Sequence, residues 1–106
     1  MAKFLVKGTY TADGTKGLLK EGGTSRRATV QKAIEGLGGK MEAFYYTYGD
    51  DDVILICDFP DAATGIALSL AVNSTGAVRI SLTPLVAPEE IDAAGKKTPA
   101  YRAPGA

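Results

Sequence analysis

Hydrophobic and polar positions change period several times along the chain, and each change marks an element. Lys3 to Tyr10 carries Phe4, Leu5 and Val6 and stops at Thr11-Ala12-Asp13-Gly14, which predicts a first strand. Leu18 and Leu19 predict a short helical turn. A longer helix is expected from Thr24-Ser25, whose hydroxyls suit an N-cap, with Val30, Ala33, Ile34 and Leu37 at helical spacing. Gly38-Gly39 ends it with left-handed C-cap geometry. Lys40 to Tyr48 and Asp52 to Phe59 then predict a hairpin around Gly49-Asp50-Asp51. Pro60-Asp61 opens a second helix with Ile66, Ala67, Leu70 and Ala71 as its expected buried stripe. Ala77 to Leu85 alternates and predicts the last strand. The order β-α-β-β-α-β predicts an α+β fold of ferredoxin-like split βαββαβ type, a four-stranded antiparallel sheet with two helices on one face.

The alternation also sorts side chains between the two faces of that sheet. Val53-Ile54-Leu55-Ile56-Cys57 is apolar at every position, so both faces of its strand are expected to be buried. Two helices cover only one face. A second copy is the simplest cover for the other, because an isologous contact needs no other gene product. The expected partner is therefore self, as a homodimer or an assembly of dimers. Phe4, Val6, Val53, Leu55, Cys57, Phe59, Val78, Ile80 and Leu82 are assigned to the helix side. The open face then has an apolar centre of Leu5, Ile54 and Ile56, edged by Lys7, Tyr45, Asp52, Asp58, Arg79 and Thr83. An even hairpin loop sends Phe44, Tyr46 and Tyr48 to the helix side and leaves Tyr45 and Thr47 open; a three-residue loop swaps the two sets. Few polar groups around an apolar floor suit a dimer interface, and they equally suit a small-molecule pocket.

Composition narrows the chemistry. At 106 residues the chain reads as one domain over residues 1–87, followed by a C-terminal helical turn and extended tail over 88–106. Tyr101 and Arg102 are the residues by which that tail would anchor on a neighbour. The 12 basic and 12 acidic residues cancel, which removes the global field that nucleic acid or an anionic membrane requires, and neither is expected as a partner. There is no His, and Cys57 is alone, so zinc, haem-ligand and Ser-His or Cys-His arrangements drop out. Cys57 reads as a core thiol, and no metal or cofactor is expected. The apolar run near the start is too short for a secretory or membrane segment, so a soluble, cytoplasmic protein is expected.

Three motifs suggest chemistry and have plainer explanations. Asp50, Asp51 and Asp52 are oxygen ligands of the kind hard cations prefer, but the spacing is that of a solvated turn. Gly22-Gly23 and Gly38-Gly39 lack the strand-to-helix order and the Lys of a phosphate loop. Ser25-Arg26-Arg27 at a helix start has the groups to grip an anion, against the plainer reading of an exposed cap with solvated charges.

The run FYYTYGDDDVILICDFPD, followed by ALSLAVNSTGAVR and the closing KKTPAYRAPG, resembles the GYD-domain family of small bacterial and archaeal proteins. The resemblance implies a ferredoxin-like fold of the dimeric α/β-barrel type and assigns no activity. Gly49 and Asp52 match the family's hairpin motif, whereas Asp51 stands where a tyrosine is usual. The functional expectation is a homo-oligomeric module with room for a small molecule on the open face or at the oligomer interface. The alternative is a cofactor-independent small-molecule enzyme, monooxygenase- or isomerase-like, resembling others of that architecture.

Overall fold

The all-apolar run Val53–Phe59 forms an inner strand of the sheet, as its double-sided pattern requires. A computed structural model describes residues 2–106. The elements are β1 (Ala2–Tyr10), α1 (Ala12–Glu21), α2 (Gly23–Gly36), β2 (Lys40–Tyr46), β3 (Val53–Phe59), α3 (Ala62–Ser74), β4 (Val78–Leu85) and α4 (Pro88–Gly95). The strands lie in the order β2-β3-β1-β4 and every neighbouring pair is antiparallel. This is the ferredoxin-like arrangement, with α1 and α4 added to it.

The core lies between the sheet and the helices. Along β3 burial alternates strictly, with Val53, Leu55, Cys57 and Phe59 buried and Ile54, Ile56 and Asp58 only half-buried. Phe4 and Val6 of β1 join them, as do Ile34 of α2 and Leu68 of α3. Phe4 and Phe59 pack as a tilted pair with ring centroids 6.2 Å apart. Burial pushes the Cys57 thiol up to about 12, the charges of Asp58 and Glu42 adding to the effect, so the sulfur stays neutral.

Four local expectations need correction. Thr11 to Gly14 does not simply break the chain: the Thr11 hydroxyl accepts from Gly14 N and caps a ten-residue α1 where a single turn was expected. Gly14 lies so close to the Ala77 carbonyl that a β-carbon would sit 1.9 Å from its oxygen, which only glycine avoids. In α2 the hydroxyls of Thr24 and Ser25 are not caps, since the helix starts one residue earlier behind Gly22. Tyr48 lies past the end of β2 and is fully exposed, although Phe44 and Tyr46 take the helix side.

The largest correction concerns α3. Gly65, Leu68 and Val72 face the core, while Ile66 and Leu70, expected inside, are 52% and 67% exposed. Because α3 is apolar almost all round, its period alone does not choose a face. Two contacts do. Gly65 lies against the Phe4 and Phe59 rings. In the last turn of the helix, Asn73 donates to Ile80 O at 3.2 Å and accepts from Ile80 N at 2.7 Å, standing in for a strand partner at the edge of β4. Asp61 caps the helix as expected, accepting from Thr64 N at 2.8 Å.

Every residue from Val86 to Ala106 is exposed, and α4 spans eight residues where one turn was expected. The radius of gyration is 17.0 Å, against about 13 Å for a compact chain of this length.

Candidate functional site

Cross-strand register assembles the open face row by row. One row reads Ala43, Ile56, Leu5, Thr83 across the four strands, and the next reads Tyr45, Ile54, Lys7, Ser81. Arg79 lies opposite Thr9 in a further row. Leu5, Ile54, Ile56 and Lys7 are half-buried, while Tyr45, Arg79 and Thr83 are exposed. None of the open-face side chains is fully buried, because α1, α2 and α3 pack on the other side.

Lys3, which strand alternation puts on the open side with Leu5 and Lys7, and Glu42, which was not expected there, complete this face. A bulge between Met41 and Ala43 turns Glu42 toward the neighbouring strands, where Lys3 Nζ lies 2.6 Å from Glu42 Oε1 and 3.6 Å from Asp58 Oδ2. Hydrogen bonding to Lys3 holds the Glu42 carboxyl below its usual range. Asp58 goes the other way, raised by its hydrogen bond with Glu42 and by desolvation. A polar residue in a strand of alternating pattern was the available signal for Glu42. Strict alternation hid which way it points.

Asp52 is placed at the end of the face and works on the backbone. Its carboxylate accepts from Tyr10 N at 2.8 Å, its own N–H donates to Gly8 O at 2.8 Å, and its carbonyl accepts from Thr47 N at 2.9 Å. It therefore ties the hairpin to the end of β1. Gly49 sits in the exposed turn, and Asp50 is exposed beside it. No group of three or more His, Cys, Asp or Glu among the described residues is placed to hold a metal ion. Within the single chain Lys7, Asp52 and Arg79 form no ion pair among the described residues. Tyr101 and Arg102 are exposed on the tail.

On the opposite side of the sheet, α2 and α3 flank an apolar cleft of about 100 Å³. Val30, Phe44, Leu55, Leu68, Val72 and Ile80 supply most of its wall, and Tyr10 and Arg26 stand among them. Tyr10 and Arg26 also line an adjoining groove of about 280 Å³ beneath α1. A third cavity of about 480 Å³ lies between α1 and the end of β2, with Tyr10, Tyr46 and Tyr48 in its wall. Tyr46 donates to Gly23 O at 3.1 Å and packs edge-on against Phe44. Desolvation, with Tyr10 close by, pushes its phenol up to about 12. Tyr10 was not singled out from the sequence, although it shares the parity of Phe4 and Val6 and so lies on the helix side.

Fold and open face together define a ferredoxin-like α+β domain with one uncovered sheet surface. Residues 4–94 match the GYD domain, and the chain belongs to that family. Neither a curated protein nor a solved structure gives a significant match. Among the described residues no helix is long and apolar enough to cross a membrane.

Proposed function

We propose that this GYD-domain protein is a homo-oligomeric, cytoplasmic binding module whose open sheet face makes the assembly and whose ligand is a small molecule. The observation that carries the reading is the row structure of that face. Leu5, Ile54 and Ile56 form a contiguous apolar centre that is only half-buried and that no element among the described residues covers. A second copy related by a two-fold axis covers it with the same residues, and Lys3, Glu42 and Asp58 then lie where charge fixes the register. The exposed arm beyond Val86 supports the same reading, since it starts beside Lys3 and Asp58 at the end of the open face. The enzyme reading has less support, because Tyr46 and Cys57 are both held neutral and neither is a base or nucleophile at ordinary pH.

Sedimentation and native mass spectrometry test the assembly. The parent chain is expected as a dimer or a multiple of dimers at micromolar concentration. Ile54→Asp and Ile56→Asp, which place a carboxylate in the centre of the face, are expected to give folded monomers by circular dichroism. A monomeric parent would remove the proposal, and so would unchanged assemblies in both variants.

A further inference from the structure

Two large side chains with apolar surface stay in solvent although the core lies close by. Leu19 of α1 is 81% exposed, and Tyr48, past the end of β2, is fully exposed. Both line the cavity of about 480 Å³ between those elements, a volume within the range of about 300–1,000 Å³ found for small-molecule sites. Leu18, Tyr10 and Tyr46 continue the wall, which thus combines three phenol rings with two leucines. Tyr46 is fixed in it. The phenol donates to Gly23 O at 3.1 Å, its ring packs edge-on against Phe44, and a β-carbon on Gly23 would come within 3.0 Å of that ring.

The charge of the wall has one sign. Asp52 is the charged residue among those that line the cavity, and no Lys or Arg is among them. Its Oδ2 accepts from Tyr10 N at 2.8 Å, its Oδ1 accepts no hydrogen bond, and no cation pairs with the carboxylate among the described residues. Arg26 and Glu21 both act on Tyr46 from outside the wall, and their charges shift its phenol in opposite directions. Helix α1 ends and α2 begins at Gly22-Gly23, so a negative and a positive helix end offset each other there. What remains is one carboxylate among three aromatic rings.

We propose that this cavity binds a small quaternary ammonium compound, its methylated head among Tyr10, Tyr46 and Tyr48 and its charge balanced by Asp52. The electron-rich face of a phenol ring attracts a cation, and aromatic walls suit one whose charge is spread over methyl groups. A primary ammonium is a compact, strongly hydrated charge and gains less from such walls. An anion would meet the Asp52 carboxylate with no cation in the wall to offset it. The proposal rests on the small-molecule half of the binding-module reading, whose ligand class it supplies, and does not depend on the assembly.

Choline and tetramethylammonium are the probes, with ethanolamine as the primary amine and, as the neutral counterpart, the alcohol in which carbon replaces the choline nitrogen. Binding is followed by chemical-shift changes of the Leu and Ile methyl groups and of the tyrosine rings. The two quaternary cations are expected to shift Leu18, Leu19 and Tyr48, leaving Ile54 and Ile56 unmoved, and to bind more tightly than ethanolamine or the neutral alcohol. Tyr48→Leu keeps an apolar side chain at an exposed position and removes the ring. It is expected to weaken choline about threefold or more with the neutral alcohol unaffected. Asp52→Asn, which keeps an acceptor for Tyr10 N, is expected to weaken choline about tenfold, again sparing the alcohol. Equal affinity for choline and the alcohol, or choline binding unchanged in both variants, overturns the ammonium assignment and leaves a small-molecule site of another class. Shifts at Ile54 and Ile56 in place of Leu18 and Leu19, or none with any probe, overturn the site. Native mass spectrometry of the purified protein reports oligomer mass and any retained small molecule independently of these probes.

Discussion

Single residues carry more of the architecture than their types announce. Asp52 lies in a run of three carboxylates that looks like a solvated turn, yet it satisfies the Tyr10 N–H where β1 outruns its partner strand. Asp52→Ala is expected to lower stability by about 1–3 kcal/mol in urea unfolding, the range for a charged hydrogen bond and an orphaned donor. Glu42 and Asp58 pull in opposite directions with pH. The folded state favours ionised Glu42, so its contribution is present above its ordinary value of 4.5 and disappears as pH falls through the lowered folded value. For Asp58 the folded state holds the proton more tightly, so its contribution is full below 3.8 and is lost as pH rises through the raised folded value. Asp58→Asn escapes that loss. Its Tm relative to the parent is expected to rise from pH 3 to pH 7, and a flat or falling difference would contradict the carboxylate pairing with Glu42. Nothing in the sequence pointed to this pair, because bulge position and cross-strand neighbours belong to register.

Among the elements, the strands were legible and so was the inner face of α2, where Ile34 and Val30 pack on the core as their spacing predicts, but the face of α3 was not. The period-two pattern placed Phe4, Val6, Val53, Leu55, Cys57 and Val78 correctly, since a pleated strand sends alternate side chains to opposite faces. In α3 almost every position is apolar, and the rotation is set by Gly65 and Asn73 instead. Leu68→Ala is accordingly expected to cost about 2–5 kcal/mol, while Leu70→Ala changes stability by no more than about 0.5 kcal/mol in the monomer. Equal costs in denaturant titration would place Leu70 in the core, as its spacing in sequence suggested. For α1, Thr11-Ala12-Asp13-Gly14 has turn composition, and a capped helix start uses the same residue types as a turn.

At the scale of the whole molecule, the arm and the open face pose one question. If the segment after Val86 docks on a second copy, removing residues 96–106 is expected to shift the assembly toward smaller species at a given concentration in light scattering. An unchanged mass would leave the sheet face as the whole interface. Sequence by itself determined strand order, the sorting of side chains between the two faces and the presence of an uncovered apolar surface. These follow from backbone periodicity and from local turn and cap chemistry, which act over a few residues. Tertiary structure alone decided which way α3 turns, that Glu42 joins Lys3 and Asp58, and that Arg26 and Tyr10 line one apolar cleft. Each of those depends on residues distant in the chain meeting in one register, and only the packed sheet and helices bring them together.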